Sequence, residues 1–193
     1  MRTRVATLLL MLIACLGVTH AAAPTDEVLA HGAADAGAPA WAVAAATPPG
    51  WTRDCCTYAR AIGVDAVLYQ GDWSGKPQRV MVLNVTARKL PTLAAEVRVD
   101  RKRYLQRDPM GKIGGFMVRN PSMPCEATVY QGSDHIDDIV VFCDPGKASD
   151  IRLSWSMAMD ASDPTRRALL YDFMRTVVAS RYQRYALQAA HGA

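Results

Sequence analysis

Apolar residues alternate with small or polar residues in the last third of the chain. Between Ile151 and Met159 every second position is apolar. A two-residue period places successive side chains on opposite faces of a strand. The pattern therefore predicts a strand with one core face and one small or polar face. The apolar positions are Ile151, Leu153, Trp155, Met157 and Met159.

Two runs before this strand, 125–130 and 138–143, flank the polar loop 131–137 and predict a hairpin. If the hairpin is centred on Asp134, Cys125 lies opposite Cys143 and the other pairs on that face are apolar. A shift of one residue would mix the two faces. Directly opposed Cα atoms lie about 4.5 to 5.5 Å apart, which is within the range of a disulfide. The register therefore predicts a Cys125–Cys143 bond.

The remaining periodic stretches predict three shorter strands and two helices. The strands cover residues 65–69, 79–85 and, more weakly, 112–119. One helix runs from Thr92 to about Arg107, with apolar residues at helical spacing. The other starts at Asp163-Pro164, where aspartate is a capping residue and proline suits the first turn. Its expected inner stripe consists of Leu170, Phe173, Met174, Val177 and Arg181.

Strands, a helix, more antiparallel strands and a closing helix make up one globular domain over residues 49–187. Each predicted helix has one apolar stripe, which an antiparallel sheet can bury. The expected class is therefore α+β, an antiparallel sheet with helices packed on it. A tail at 188–193 is expected to fray.

This order of elements, together with the Pro49-Gly50-Trp51 entry, resembles the PsbP-like α/β/α sandwich family over about residues 49 to 187. The resemblance implies an extracytoplasmic, non-catalytic accessory or interaction module. The cysteines match no pattern of that family.

The first residues have the pattern of an export signal. A short basic start (1–4) precedes an apolar run (5–18) and small residues (19–23), which predicts a signal peptide over 1–21. Leu12-Ile-Ala-Cys15 also resembles the bacterial lipoprotein box, in which case the signal ends before Cys15 and that cysteine carries the lipid. Both alternatives stay open. They predict a periplasmic protein that is either soluble or lipid-anchored to the outer membrane.

Removal or lipidation of Cys15 leaves four cysteines, Cys55, Cys56, Cys125 and Cys143, an even number for an oxidising compartment. If Cys125 pairs with Cys143, the other two form an adjacent-residue bond, stay reduced or pair between chains. Connectivities that tie both to the hairpin also remain open. The segment 22–48 between signal and domain is rich in alanine, proline and glycine and predicts a flexible tether.

Charge argues against nucleic-acid binding. Without Arg2 and Arg4, twenty basic side chains face eighteen acidic ones among the 193 residues, and this balance lacks a concentrated basic footprint. A local basic face lies on the first helix, at Arg98, Arg101 and Lys102. Together with Asp134 and His135 of the hairpin loop, these residues are the candidate contacts for a protein partner.

Candidate chemistry is sparse. His31, His135 and His191 have no ligand spacing for zinc, and neither a metal nor a cofactor is expected. The expected function is therefore a non-catalytic envelope protein that binds another protein, as a periplasmic inhibitor or immunity protein against a toxin or enzyme. The alternative is a periplasmic hydrolase or ligand-binding enzyme of unrecognised type that uses Asp134, His135 and Asp138.

Overall fold

The computed structural model describes residues 26–32, 40–73 and 79–185. The signal segment 1–21 with Cys15 and the tail 188–193 lie outside these ranges. The strands are β1 (Glu27–Gly32), β2 (Ala40–Ala45), β3 (Thr52–Asp54), β4 (Ala66–Tyr69), β5 (Val80–Ala87), β6 (Lys112–Val118), β7 (Cys125–Gln131), β8 (Ile136–Cys143), β9 (Ile151–Asp160) and β10 (Arg181–Tyr185). The helices are α1 (Tyr58–Ala61), α2 (Leu93–Arg107) and α3 (Arg166–Ala179), with a 3₁₀ turn at Lys147–Ser149. None of the helices described is long and apolar enough to cross a membrane.

The larger sheet has the order β3-β4-β5-β9-β8-β7-β6 in the described chain, and each neighbouring pair is antiparallel. Its core face carries the alternate residues that include Leu83, Trp155 and Val141, all buried. Helix α3 packs on this side, through Phe173 and Val177 of the same apolar cluster. The expected α+β class is confirmed.

The other face of the sheet, called the second face below, carries α1 on β4 and α2 on β7 and β8. The register places Val82, Ser156 and Val140 side by side on this face, and all three are half-buried. The expected contrast between the two faces of β9 is thus observed. Because valine and serine are small, the middle of the second face is lower than the helices on either side of it.

The predicted tether at 22–48 is wrong for the part that the structure describes. Strands β1 and β2 lie there and form a second sheet with β10, in the order β1-β2-β10. Residues Ala42 to Ala45 are buried. The alanines that predicted a flexible linker therefore belong to a tightly packed strand. The domain therefore begins before residue 49. The end of the predicted closing helix also differs, because α3 stops at Ala179 and Arg181 starts β10 instead of continuing the helix.

The hairpin register is confirmed. Cys125 lies opposite Cys143, Ala127 opposite Val141 and Val129 opposite Ile139. The Cys125–Cys143 disulfide forms, with Cα atoms 4.2 Å apart. Cys55 and Cys56 are bonded to each other, which is the adjacent-residue alternative. The strands also extend further into the loop than expected, because β7 ends at Gln131 and β8 begins at Ile136.

Helix α2 begins as the sequence predicts, with the Thr92 side chain accepting a hydrogen bond from the Ala95 N–H at 3.2 Å. Helix α3 begins later than expected. Asp163 accepts the Thr165 N–H at 2.7 Å and thus closes a turn just ahead of the helix. The inner stripe is also shifted, because Leu169 is buried and Leu170 is only half-buried.

Candidate functional site

Strand β6 forms one edge of the large sheet and pairs only with β7 among the described strands. The pairing runs without a bulge from Lys112–Gln131 to Val118–Cys125. Bulges, prolines and charges are the usual devices that protect a sheet edge from other strands. Residues 113–118 carry no charge and no proline. Between Lys112 and Arg119, strand β6 therefore presents a row of backbone groups that no charge or proline protects.

Large apolar side chains stand exposed along this edge. Phe116 is 44% exposed and Met117 is 67% exposed, and they point to opposite faces of the sheet because they are neighbours on a strand. Met110, just before the strand, is 80% exposed. Exposed large apolar side chains at an uncovered sheet edge are candidates for contact with a partner.

The two glycines of β6 have different surroundings. A Cβ at Gly115 would lie 2.4 Å from Arg101 Nη2 and 3.0 Å from the Ala127 carbonyl oxygen. Glycine at this position therefore lets Arg101 lie across the strand. A Cβ at Gly114 would meet nothing within 4 Å, so crowding does not explain that glycine. Its effect is to leave the backbone of the edge uncovered.

Helix α2 places Arg101 beside this strand. Arg101 Nε donates to Thr128 Oγ1 at 3.1 Å, and its Nη2 donates to Glu126 Oε1 at 3.2 Å. Arg101 is therefore half-buried and fastens α2 to β7, which corrects its placement on the exposed face. Arg98 and Lys102 are exposed as expected. We call β6 together with Arg98, Arg101 and Lys102 the β6 surface.

The other two candidate contacts lie at the tip of the β7–β8 hairpin. His135 has a left-handed backbone with φ of 69°, and its N–H donates to the Gly132 carbonyl at 3.2 Å. Asp134 Oδ1 accepts the Ile136 N–H at 3.0 Å. Both side chains are exposed. They close the turn beyond the Lys112 end of β6 and do not lie along its edge.

The hairpin tip does not gather the three residues of the enzyme hypothesis. Asp138 lies on β8, opposite Ala158, with its side chain on the second face. In the described part of the chain, the His135 imidazole has no hydrogen bond to the Asp134 or Asp138 carboxylate. The structure therefore does not bring Asp134, His135 and Asp138 together in one cluster.

Asp138 instead borders a cavity of about 340 Å³ on the second face. Tyr58 and Trp73 line the same cavity and stack on each other, with ring centroids 4.3 Å apart and planes at 25°. Sequence reasoning missed this pair, since Trp73 lies in the connection between the predicted strands 65–69 and 79–85. A large aromatic residue in a turn between two strands is the signal that could have found it.

A buried ionic cluster holds the start of α2 against the sheet. Arg152, with 2% of its side chain exposed, lies between Glu96 Oε1 at 3.1 Å and Asp144 Oδ1 at 2.7 Å, and Arg88 also pairs with Asp144. Burial raises the pKa of Glu96 despite the attraction of Arg152. Burial also acts to raise the pKa of Asp144, but hydrogen bonds from Arg88 and Gly146 and the charge of Arg152 lower it overall. Two arginines and two carboxylates balance in charge, which assigns the cluster a structural role.

No protein-family model matches the chain, and neither does any curated protein. Among solved structures, the chain is similar to cyanobacterial PsbP (CyanoP) from Synechocystis sp. PCC 6803. The identity is 10%, the TM-score is 0.48, and the match covers 80% of this chain and 96% of that chain. The match is to the family that the order of elements resembles. At this similarity it says nothing about function.

Proposed function

We propose that the chain is a non-catalytic exported protein that binds an extended segment of another protein at the β6 surface. The observation that carries the proposal is the unprotected edge of β6 with Phe116 and Met117 exposed on its two faces. An edge strand offers unpaired N–H and C=O groups as a template for a further strand. Backbone hydrogen bonds then supply affinity, and side chains on alternate positions supply specificity.

The chemistry of the β6 surface defines the partner segment. Neighbouring apolar residues of an added strand point to opposite faces, so they would contact Phe116 on one face of the sheet and Met117 on the other. Arg98 and Lys102, both exposed, favour acidic residues next to that strand. Charge complementarity of this kind increases association rate and selects partners. The partner segment is therefore extended, with apolar residues on both faces where it meets Phe116 and Met117, and with acidic residues beside them.

Rigidity supports a role as an inhibitor or immunity protein in the periplasm. Strand β7 pairs with β6 along its whole length, and the Cys125–Cys143 disulfide ties β7 to β8. A rigid edge loses little conformational entropy when it binds. The predicted signal peptide places the domain where toxins and envelope enzymes are encountered.

Site-specific photo-crosslinking tests the proposal. A photoreactive phenylalanine analogue replaces Met117 in the full chain, expressed in the producing bacterium. The matched control carries it at Tyr171, which is also 67% exposed but lies on α3. We expect a discrete adduct with one other envelope protein from position 117 and none from position 171.

A second measurement decides whether binding occurs by strand addition. The crosslinked protein, identified by mass spectrometry and prepared separately, should slow amide hydrogen exchange at residues 113–118. The Met117→Lys variant, which places a charge on the edge, should weaken this binding at least ~10-fold. Equal adducts from both positions, or an adduct without protection of β6, would overturn the proposal. An adduct between two copies of the chain would make the surface a homodimer interface and also overturn it.

A further inference from the structure

We propose that the cavity between α1 and β9 binds an organic cation, namely an ammonium or guanidinium group on an apolar stem. The cavity lies on the second face, and its residues are not those of the β6 surface. This inference therefore does not depend on the proposed function.

The strand register builds the cavity. Ala158 lies opposite Asp138 on β8, and on its other side it faces Val80, because Met157 pairs with Met81. Ala158 and the neighbouring Ser156 are small and form a floor one strand wide. Strands are about 4.8 Å apart, so the walls on β8 and β5 stand about 10 Å from each other. This width accepts a small organic molecule lying across β9.

The β5 side of the cavity is apolar and aromatic. Tyr58 is buried, and it stacks on Trp73 while Tyr69 meets it edge-on at 5.9 Å. Trp73 stays 43% exposed and Ile62 45% exposed. An exposed tryptophan held by a stacked neighbour offers both apolar area and the negative face of its ring, which attracts cations.

The β8 side is a carboxylate without a partner. Asp138 is half-buried, and within the ranges described no donor hydrogen-bonds to its side chain and no cation forms an ion pair with it. Burial raises the pKa of Asp138, and the charges of Asp134, Asp137 and Asp100 add to this, whereas Arg107 acts in the opposite direction. A partly buried charge without a partner costs free energy. A ligand that brings a positive charge to this wall would recover that cost.

These walls specify the ligand. Its charged end lies at Asp138 and its apolar end lies against Trp73, which requires the two ends on one short stem. The cavity of about 340 Å³ is at the small end of ligand sites. Neutral ligands gain at most a hydrogen bond to the carboxylate and do not neutralise its charge, and anions are repelled. Such a group occurs both in free amines and in the lysine or arginine side chains of proteins.

Titration of the ¹⁵N-labelled full chain, followed by NMR, tests the inference. Benzylammonium is the probe, benzyl alcohol is its neutral analogue and benzoate is its anionic analogue. We expect saturable shifts at the Trp73 indole and at β8 and β9 amides with benzylammonium in the millimolar range. Benzyl alcohol should bind at least ~10-fold more weakly, and benzoate should not bind.

N-acetyl-lysine methylamide separates the two sources of the cation. Tighter binding of benzylammonium indicates a free aromatic amine, and tighter binding of the lysine derivative indicates a protein side chain. Either result supports the inference. Absence of saturable shifts with both compounds overturns it.

Matched variants assign the binding to the cavity. Asp138→Asn should weaken benzylammonium binding at least ~5-fold, and Trp73→Leu should also weaken it. Asp134→Asn removes the same charge from an exposed side chain outside the cavity lining and should change the affinity less than ~2-fold. The amide spectrum of each variant reports whether it is folded. Equal losses in the two aspartate variants would indicate only a general negative field and would overturn the site.

Discussion

At the scale of single residues, Asp138 is the side chain whose environment least suits its charge. It lies partly buried on the second face, and burial raises its pKa, followed by the charge of Asp134. Asp144 differs because Arg88 and Arg152 surround it. Residues that serve a site often reduce the stability of the fold. Asp138 fits this description, and Asp144 does not.

The Asp138→Asn variant should be more stable than the parent at about pH 7, and the gain should vanish near about pH 3. The folded pKa of Asp138 is raised above its usual value of 3.8. The folded protein therefore favours the neutral form of Asp138. The stability that this form contributes is fully present below the unfolded-state pKa of Asp138 and is lost as the pH rises through its folded-state pKa. Asparagine does not ionise and avoids this loss. Urea unfolding at the two pH values measures the difference.

Asp134→Asn is the control, because this carboxylate is exposed and lacks the burial penalty, so its gain should be smaller and limited to the relief of its repulsion with Asp138. A gain for Asp138→Asn that is as large at about pH 3 as at about pH 7 would contradict the account, since it would have a cause other than ionisation.

At the scale of elements, the β7–β8 hairpin shows when a register is predictable. Its two strands have a two-residue period, and one face contains only apolar residues and cysteines. Both constraints are local, so one alignment satisfies them. Strand β6 is different. Its sequence gives a weak strand with two glycines, whereas its position at the edge depends on the order of the other strands.

The two disulfides should differ sharply in their contribution to stability. Cys125 and Cys143 are 18 positions apart, so their bond restricts a loop of the unfolded chain and contributes about 3 kcal/mol. Cys55 and Cys56 are adjacent, and their bond closes no loop of comparable length. Replacing the first pair by alanine should therefore lower the free energy of unfolding by about 3 kcal/mol, and replacing the second pair by less than about 1 kcal/mol.

Chemical denaturation of the two double variants measures this difference, with the second pair as the matched control. Similar losses in both would show that loop closure is not the cause. The cause would then lie in the native packing around the buried hairpin cysteines.

The sequence predicted the elements whose periodicity is local and missed those whose stability comes from distant partners. Strands β4, β5, β7, β8 and β9 and helix α2 were expected within a few residues of their observed bounds. Strand β2 is mostly alanine, and its pairing with β10 joins residues about 140 positions apart. Helix α1 has only four residues, too few for a helical period. The candidate contacts Arg98 and Lys102 were identified, but the cavity with Tyr58 and Trp73 was not.

At the scale of the whole molecule, the two sheets have different roles: the small sheet covers the core, and the large sheet carries the proposed binding surfaces. The small sheet and α3 cover the core face of the large sheet, since Leu29, Val43 and Phe173 belong to one buried cluster with Trp155. In the described part of the chain, the two proposed binding surfaces lie away from this covered face, on the second face and at the β6 edge. The fold thus separates the surface proposed for a protein from the cavity proposed for a cation.

The contribution of β1 to the core can be measured at one position. The register between β1 and β2 shifts between Val28 and Ala30, and Leu29 at this irregularity is buried, with 1% exposed. Leu29→Ala should therefore lower the free energy of unfolding by about 2 to 5 kcal/mol, the range for removing a buried leucine side chain. Val28, the adjacent residue, is 40% exposed, so Val28→Ala should cost less than about 1 kcal/mol. Urea unfolding of both variants decides between a core strand and a tether, because a tether predicts the same small change at both positions.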